Sequence, residues 1–153
     1  MITWLYHHRN SVATFVVIWP YIIAVTLVAT LRNVDGATWP VVKDFTISTR
    51  GTSADGKLII AGYMVNTRAC RLITVEGEIL TTAGNNIFTG IKFLDSASDV
   101  VYPRPKGSHK WGNWVISTPP DAVELTLYSR HECHPLWITR TKLTTIKVHE
   151  GVS

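Results

Sequence analysis

The sequence predicts a mostly β protein: an antiparallel β-sandwich of about seven strands, immunoglobulin-like in architecture, preceded by one N-terminal transmembrane α-helix. Three observations carry that expectation. From Ser11 to Leu31 there are 21 residues without a charge, whereas charges of both signs are spread through everything after Leu31. From Lys43 onward, apolar residues recur with the two-residue period of half-buried strands, and turn signals interrupt them every 8–14 residues. Two cysteines, Cys70 and Cys133, stand 63 residues apart, a separation resembling the inter-sheet bridge of immunoglobulin-like sandwiches.

The N-terminal run fits a membrane span in length, since a bilayer core of ~30 Å needs about 20 apolar residues. Trp4 and Tyr6 precede it at interfacial depth, and Arg9 and Arg32 bracket it. Pro20 falls near its middle, a position that transmembrane helices tolerate with a kink. A cleaved signal peptide has a shorter apolar core, of about 7–15 residues, and small residues at its cleavage site; Val28-Ala29-Thr30-Leu31-Arg32 fits that poorly. The expected organisation is a tail (1–10), a transmembrane helix (11–32), a spacer (33–42) punctuated by Gly36 and Pro40, and an external domain (43–150). The short tail before a long domain favours a cytoplasmic N-terminus. The domain would then be periplasmic or extracellular, at a bacterial inner membrane or a virion membrane. Trp19, Pro20 and Tyr21 are the candidates for helix–helix contact.

The strands follow in order. Asp44–Thr49 alternates with Phe45 and Ile47 on one face, and Ala54-Asp55-Gly56 is a hairpin signal. Lys57–Val65 is β-prone, and Asn66–Ala69 breaks it. Arg71–Leu80 places Ile73, Val75 and Ile79 on one side. After the turn at Gly84, Ile87, Ile91 and Phe93 share a face. Residues 95–110 read as the longest loop, Trp111–Ser117 as a short aromatic strand, and Pro119-Pro120 as a turn. In Ala122–Arg130, Val123, Leu125 and Leu127 face inward, and Leu136–Val148 supplies one or two more strands.

The net charge of +4 falls to +2 once Arg9 and Arg32 are set aside, and no cluster of Lys and Arg is longer than two. That argues against nucleic acid, which needs a concentrated basic face. The two cysteines allow a disulfide closing a loop worth roughly 4 kcal/mol in the chain-entropy model. They also allow two free thiols, or a metal site at His131, Cys133 and His134, whose donors suit Zn or Cu. Alternation in a strand would place His134 opposite the other two, and the remaining ligands have no recognisable spacing. No cofactor is expected.

Gly51-Thr52-Ser53-Ala54-Asp55-Gly56-Lys57 has the glycine and lysine spacing of a phosphate-binding loop. Leu58, however, stands where Ser or Thr must bind magnesium, so a hairpin turn is the better reading. Glu76 and Glu78 share one face of a strand, more simply a solvated face than a cation site. The segment 104–114 combines Arg104, Lys106 and Lys110 with Trp111 and Trp114, and reads as a binding loop unless its tryptophans pack into the core.

Gly62-Tyr-Met-Val-Asn-Thr-Arg-Ala-Cys70, Arg104–Trp114 and His131-Glu-Cys-His-Pro-Leu-Trp137 together resemble a family of small membrane proteins of tailed bacteriophages and prophages. That resemblance implies a viral or bacterial-envelope setting and supplies no activity or residue role, and no catalytic motif is found in the sequence. The expected function is therefore non-enzymatic: a membrane-anchored binding, structural or assembly module whose partners are the lipid membrane and a protein or further copies of itself. A phage lysis or superinfection-exclusion factor, and a metal-dependent enzyme at the His/Cys site, are the alternatives.

Overall fold

The computed structural model describes residues 2–94 and 105–148, with side chains described from Ile18 onward. One helix, α1 (Ile2–Thr38), precedes seven strands: β1 (Val42–Thr52), β2 (Leu58–Asn66), β3 (Arg71–Thr81), β4 (Asn86–Phe93), β5 (Gly107–Ile116), β6 (Ala122–His134) and β7 (Trp137–Lys147). The chain divides into two compact units, Met1–Val34 and Asp35–Ser153.

The helix corrects the expected membrane anchor. Among the described residues no helix is long and apolar enough to cross a membrane. The charge-free run ends at Leu31. Arg32, Asn33 and Asp35 then follow without a break, and residues 33–38, expected as spacer, continue the helix. The single-pass topology, with a cytoplasmic N-terminus and a periplasmic or extracellular domain, falls with the span. The helix runs on through Pro20. Thr26 and Thr30 donate their hydroxyls to the carbonyls of Ile22 and Thr26, which keeps these polar groups on the helix's own backbone.

The seven strands form one antiparallel sheet in the order β1-β2-β5-β4-β3-β6-β7. The strand number agrees with the sequence; the two packed sheets of an immunoglobulin-like sandwich are replaced by a single sheet curled into a half-barrel. The curl is made at β4. Its first residues, Asn86–Gly90, pair with β3, and its last, Ile91–Phe93, pair with β5. The concave face holds the core, in which Ile60, Ile79, Ile116, Leu125 and Leu127 are fully buried. The two outer strands, β1 and β7, approach each other. There the Arg50 guanidinium donates to the carbonyl of Lys147 at 2.7 Å and to that of Val148, so a side chain bridges the seam where no ladder forms.

Bulges decide which side chains enter the core. Between Leu72 and Thr74 the β3–β6 register shifts by one, so Ile73 turns outward and Leu72 packs against the core instead. A second shift beside Thr81 turns Val123 out and buries Ala122. A third lies opposite Ile60 and Gly62, which pair with Trp114 and Trp111. Two tryptophans three residues apart thereby reach the same face, where alternation would have separated them.

Candidate functional site

The end of the half-barrel where β1 begins and β2 ends gathers the polar groups that the sequence pattern leaves unexplained. Asp35 stands in the last turn of α1, where a negative charge opposes the helix dipole and must be compensated locally. It is 7% exposed. Arg68, in the turn between β2 and β3, donates to its Oδ1 at 2.8 Å, and Trp137 donates its Nε1–H to Oδ2 at 3.3 Å. The hydroxyl of the fully buried Thr139 also donates to Oδ2. Arg68 donates further to the Trp39 carbonyl at 3.2 Å, which fixes the chain between helix and strand. Gly36 completes the joint: a Cβ there would lie 2.1 Å from the Arg140 carbonyl oxygen, so only glycine lets the helix end lie against β7.

Burial pushes the Asp35 carboxyl upward. The hydrogen bonds from Thr139, Trp137 and Arg68, with the charge of Arg68, outweigh that and hold it below the ordinary 3.8. A depressed folded-state value means that its contribution is complete above the unfolded value and is lost as pH falls through the folded one. Asp35→Asn should cost about 2–3 kcal/mol at pH 7, because it leaves a partly buried Arg68 without its counter-charge. The penalty should shrink as pH falls below the ordinary carboxylate value of 3.8. Urea titrations of both proteins at pH 7 and pH 2.5 measure this, and an equal gap at the two values would contradict it.

Beside this joint lies an open groove of about 460 Å³ lined by Asp35, Trp39, Pro40, Lys43, Thr67 and Arg68. The volume falls in the range of binding clefts. Trp39 exposes 61% of its surface there. On its rim β1 bulges between Lys43 and Thr46, and Asp44 takes up a left-handed φ of 48°, a conformation that Asp tolerates better than most residues.

Cys70 follows the groove residues Thr67 and Arg68 in the β2–β3 turn. Cys70 and Cys133 are joined, with sulfurs 2.09 Å and Cα atoms 4.8 Å apart, so the turn carrying Thr67 and Arg68 is tied to the end of β6. That bond removes Cys133 from any metal site. Of the other two candidate ligands, His131 is buried, whereas His134 stacks on Trp137 at 3.8 Å and accepts the Leu136 N–H on Nδ1. Among the described residues no three His, Cys, Asp or Glu side chains are grouped to hold a metal.

The candidate binding loop divides. Arg104 lies outside the described residues. Lys106 is exposed ahead of β5, and Lys110 is exposed within it. Trp111 and Trp114 are 1% and 3% exposed and belong to the core. Phe45 stacks on Trp111 at 4.5 Å, Trp111 and Trp114 are 4.5 Å apart, and Phe93 meets Trp114 edge-on at 5.6 Å. Glu76 pairs with Arg130 at 3.1 Å and Glu78 with Arg140 at 3.7 Å, whose guanidinium lies 3.5 Å from the Tyr128 ring centre. These two carboxylates thus belong to a charge ladder on the convex face. The phosphate-loop look-alike is the β1–β2 hairpin turn, with Gly56 at φ 77° and Asp55 bound to Ser53 and Lys57, which hold its carboxyl at about 2. Trp19, Pro20 and Tyr21 are exposed on α1.

Asp35 and Arg68 were not legible as a pair, since 33 residues separate them. Asp35 also fell in the segment expected as a spacer, so nothing local marked it. No family model matches the chain, and no curated protein and no solved structure is found similar to it.

Proposed function

We propose that the protein is a non-enzymatic assembly module in which α1 packs against the helices of further copies and the half-barrel is a rigid, disulfide-stapled head. One observation carries this reading. Along α1, Ile18, Trp19, Tyr21, Ile22, Ile23, Val25, Leu27, Leu31 and Val34 each expose between 41% and 71% of their surface. A helix that is apolar all round is a helix buried in something larger, and contiguous apolar surface of this extent marks an association site. With a membrane span set aside, identical helices are the simplest partner, because a symmetric oligomer covers the same residues on every copy. Trp19, Pro20 and Tyr21 lie in the proposed contact, and the groove at Trp39 is the head's surface for a protein partner. A tailed-phage or prophage setting rests on the resemblance of the three quoted stretches alone.

Sedimentation velocity of the full chain at about 20 µM tests the assembly. The wild type should sediment as an oligomer, and Ile22→Lys with Val25→Lys should shift it towards monomer with an unchanged β-sheet circular dichroism signal. A monomeric wild type, or an oligomer indifferent to the two lysines, would overturn the proposal.

A further inference from the structure

A second, smaller space lies inside the half-barrel, separate from the groove. It measures about 20 Å³, and Val42, Met64, Leu72, Val75, Phe93 and Leu143 supply most of its apolar wall. Besides His131, three polar side chains interrupt that wall: Asn66 at the end of β2, Trp114 on β5 and Ser129 in the middle of β6. They are 6%, 3% and 2% exposed. Asn66 Oδ1, Trp114 Nε1 and Ser129 Oγ have no hydrogen-bond partner among the described residues.

The three atoms are chemically complementary. The amide oxygen of Asn66 accepts, the Trp114 indole N–H donates, and the Ser129 hydroxyl does either. Buried polar groups that stay unpaired are strongly disfavoured, and polar interior spaces are accordingly hydrated. Size selects the ligand: about 10–15 Å³ in this measure admits one water molecule, and this space is too small for two or for an organic molecule. We infer that the half-barrel holds one internal water molecule, bonded to Asn66, Trp114 and Ser129. It joins walls that the sheet order keeps apart, because β6 is a neighbour of neither β2 nor β5. Asn66 directly precedes Thr67 and Arg68, so the water supports from within the turn that holds Asp35.

The structure supplies an internal control. Trp111 Nε1 is equally buried and without a partner among the described residues, yet Trp111 is not among the residues around this space. In ¹⁵N-labelled full-length protein, the Trp114 indole N–H should show a cross-peak to water with the sign of a long-lived, co-tumbling molecule, and the Trp111 indole should show none. Ser129→Val fills the space and should abolish the cross-peak; if that variant does not fold, Ser129→Ala should shorten the water's residence and weaken it. A silent Trp114, equal signals at both tryptophans, or xenon-induced shifts of Met64 and Leu143 methyl groups in the wild type, which would indicate a dry space, would each refute the site.

Discussion

Breaking the bond between Cys70 and Cys133 should lower the stability of the half-barrel by about 4 kcal/mol, the chain-entropy value for a loop of this length. The loop closed by the bond spans 63 residues and contains β3, β4, β5 and nearly all of β6. In the folded protein these ends are already held together. Arg71 lies opposite Glu132 in the ladder and forms an ion pair with it, and Leu72 lies opposite His131. The bond therefore acts chiefly by confining the unfolded chain. Guanidinium titrations with and without reductant, and of Cys70→Ala with Cys133→Ala, should show a large fall in midpoint. The reduced chain should also show a steeper dependence on denaturant, because it exposes more surface when it unfolds. A loss below 1 kcal/mol would mean that the ladder alone sets the stability of this end.

Gly62→Ala should be comparably damaging for the opposite reason, a fault in the folded state. The added methyl would lie 1.8 Å from the Thr46 carbonyl oxygen and 2.9 Å from Cζ2 of Trp111. The first contact is with backbone, so relief requires β1 to move away and to release the pairing around Ile47 and Gly62. Overpacking of a close-packed core costs 1–3 kcal/mol when side chains can yield; here the obstacle cannot, and a loss of about 3 kcal/mol or more is expected. A thermal melt should fall by roughly 10 °C, on the scale of a few degrees per kcal/mol for domains of this size. Tryptophan emission should shift to longer wavelength as Trp111 is displaced. Gly90→Ala is the matched control, since a methyl there meets nothing within 4 Å and should be nearly neutral. Equal effects at the two glycines would disprove the steric account.

Much of the sheet was legible. Alternation and turn residues gave seven strands, and Gly56 marked the first hairpin as expected. The failures have a common physical origin. A bulge adds one residue to one strand and inverts the facing of what lies beyond it. Ile73 and Val123, both expected inside, are therefore 41% and 40% exposed, while Trp111 and Trp114 share a face despite a spacing of three. Nothing local announces such a shift, because it depends on the opposing strand. Gly36 misled in another way. It reads as a break, yet it lies within α1, where its lack of a side chain serves the approach of Arg140. The Asp35–Arg68 joint depends on that approach and stayed hidden for the same reason. The exposed hydrophobic run on α1 was plain in the sequence; its reading as a membrane span is what the structure corrects.

The strand order has a kinetic consequence. β3, β4 and β5 form a central meander of successive neighbours, and the hairpins β1–β2 and β6–β7 attach to its two sides through β5 and β3. Those two attachments join distant parts of the chain: Leu58 with Ile116, and Thr81 with Ala122. The entropy of bringing such segments together is lost before either pairing is complete, which slows proteins dominated by non-local contacts to milliseconds or seconds. The meander and both hairpins can form early and independently, so the slow step of folding is their docking, first one hairpin and then the other, against a sheet whose two sides are still open.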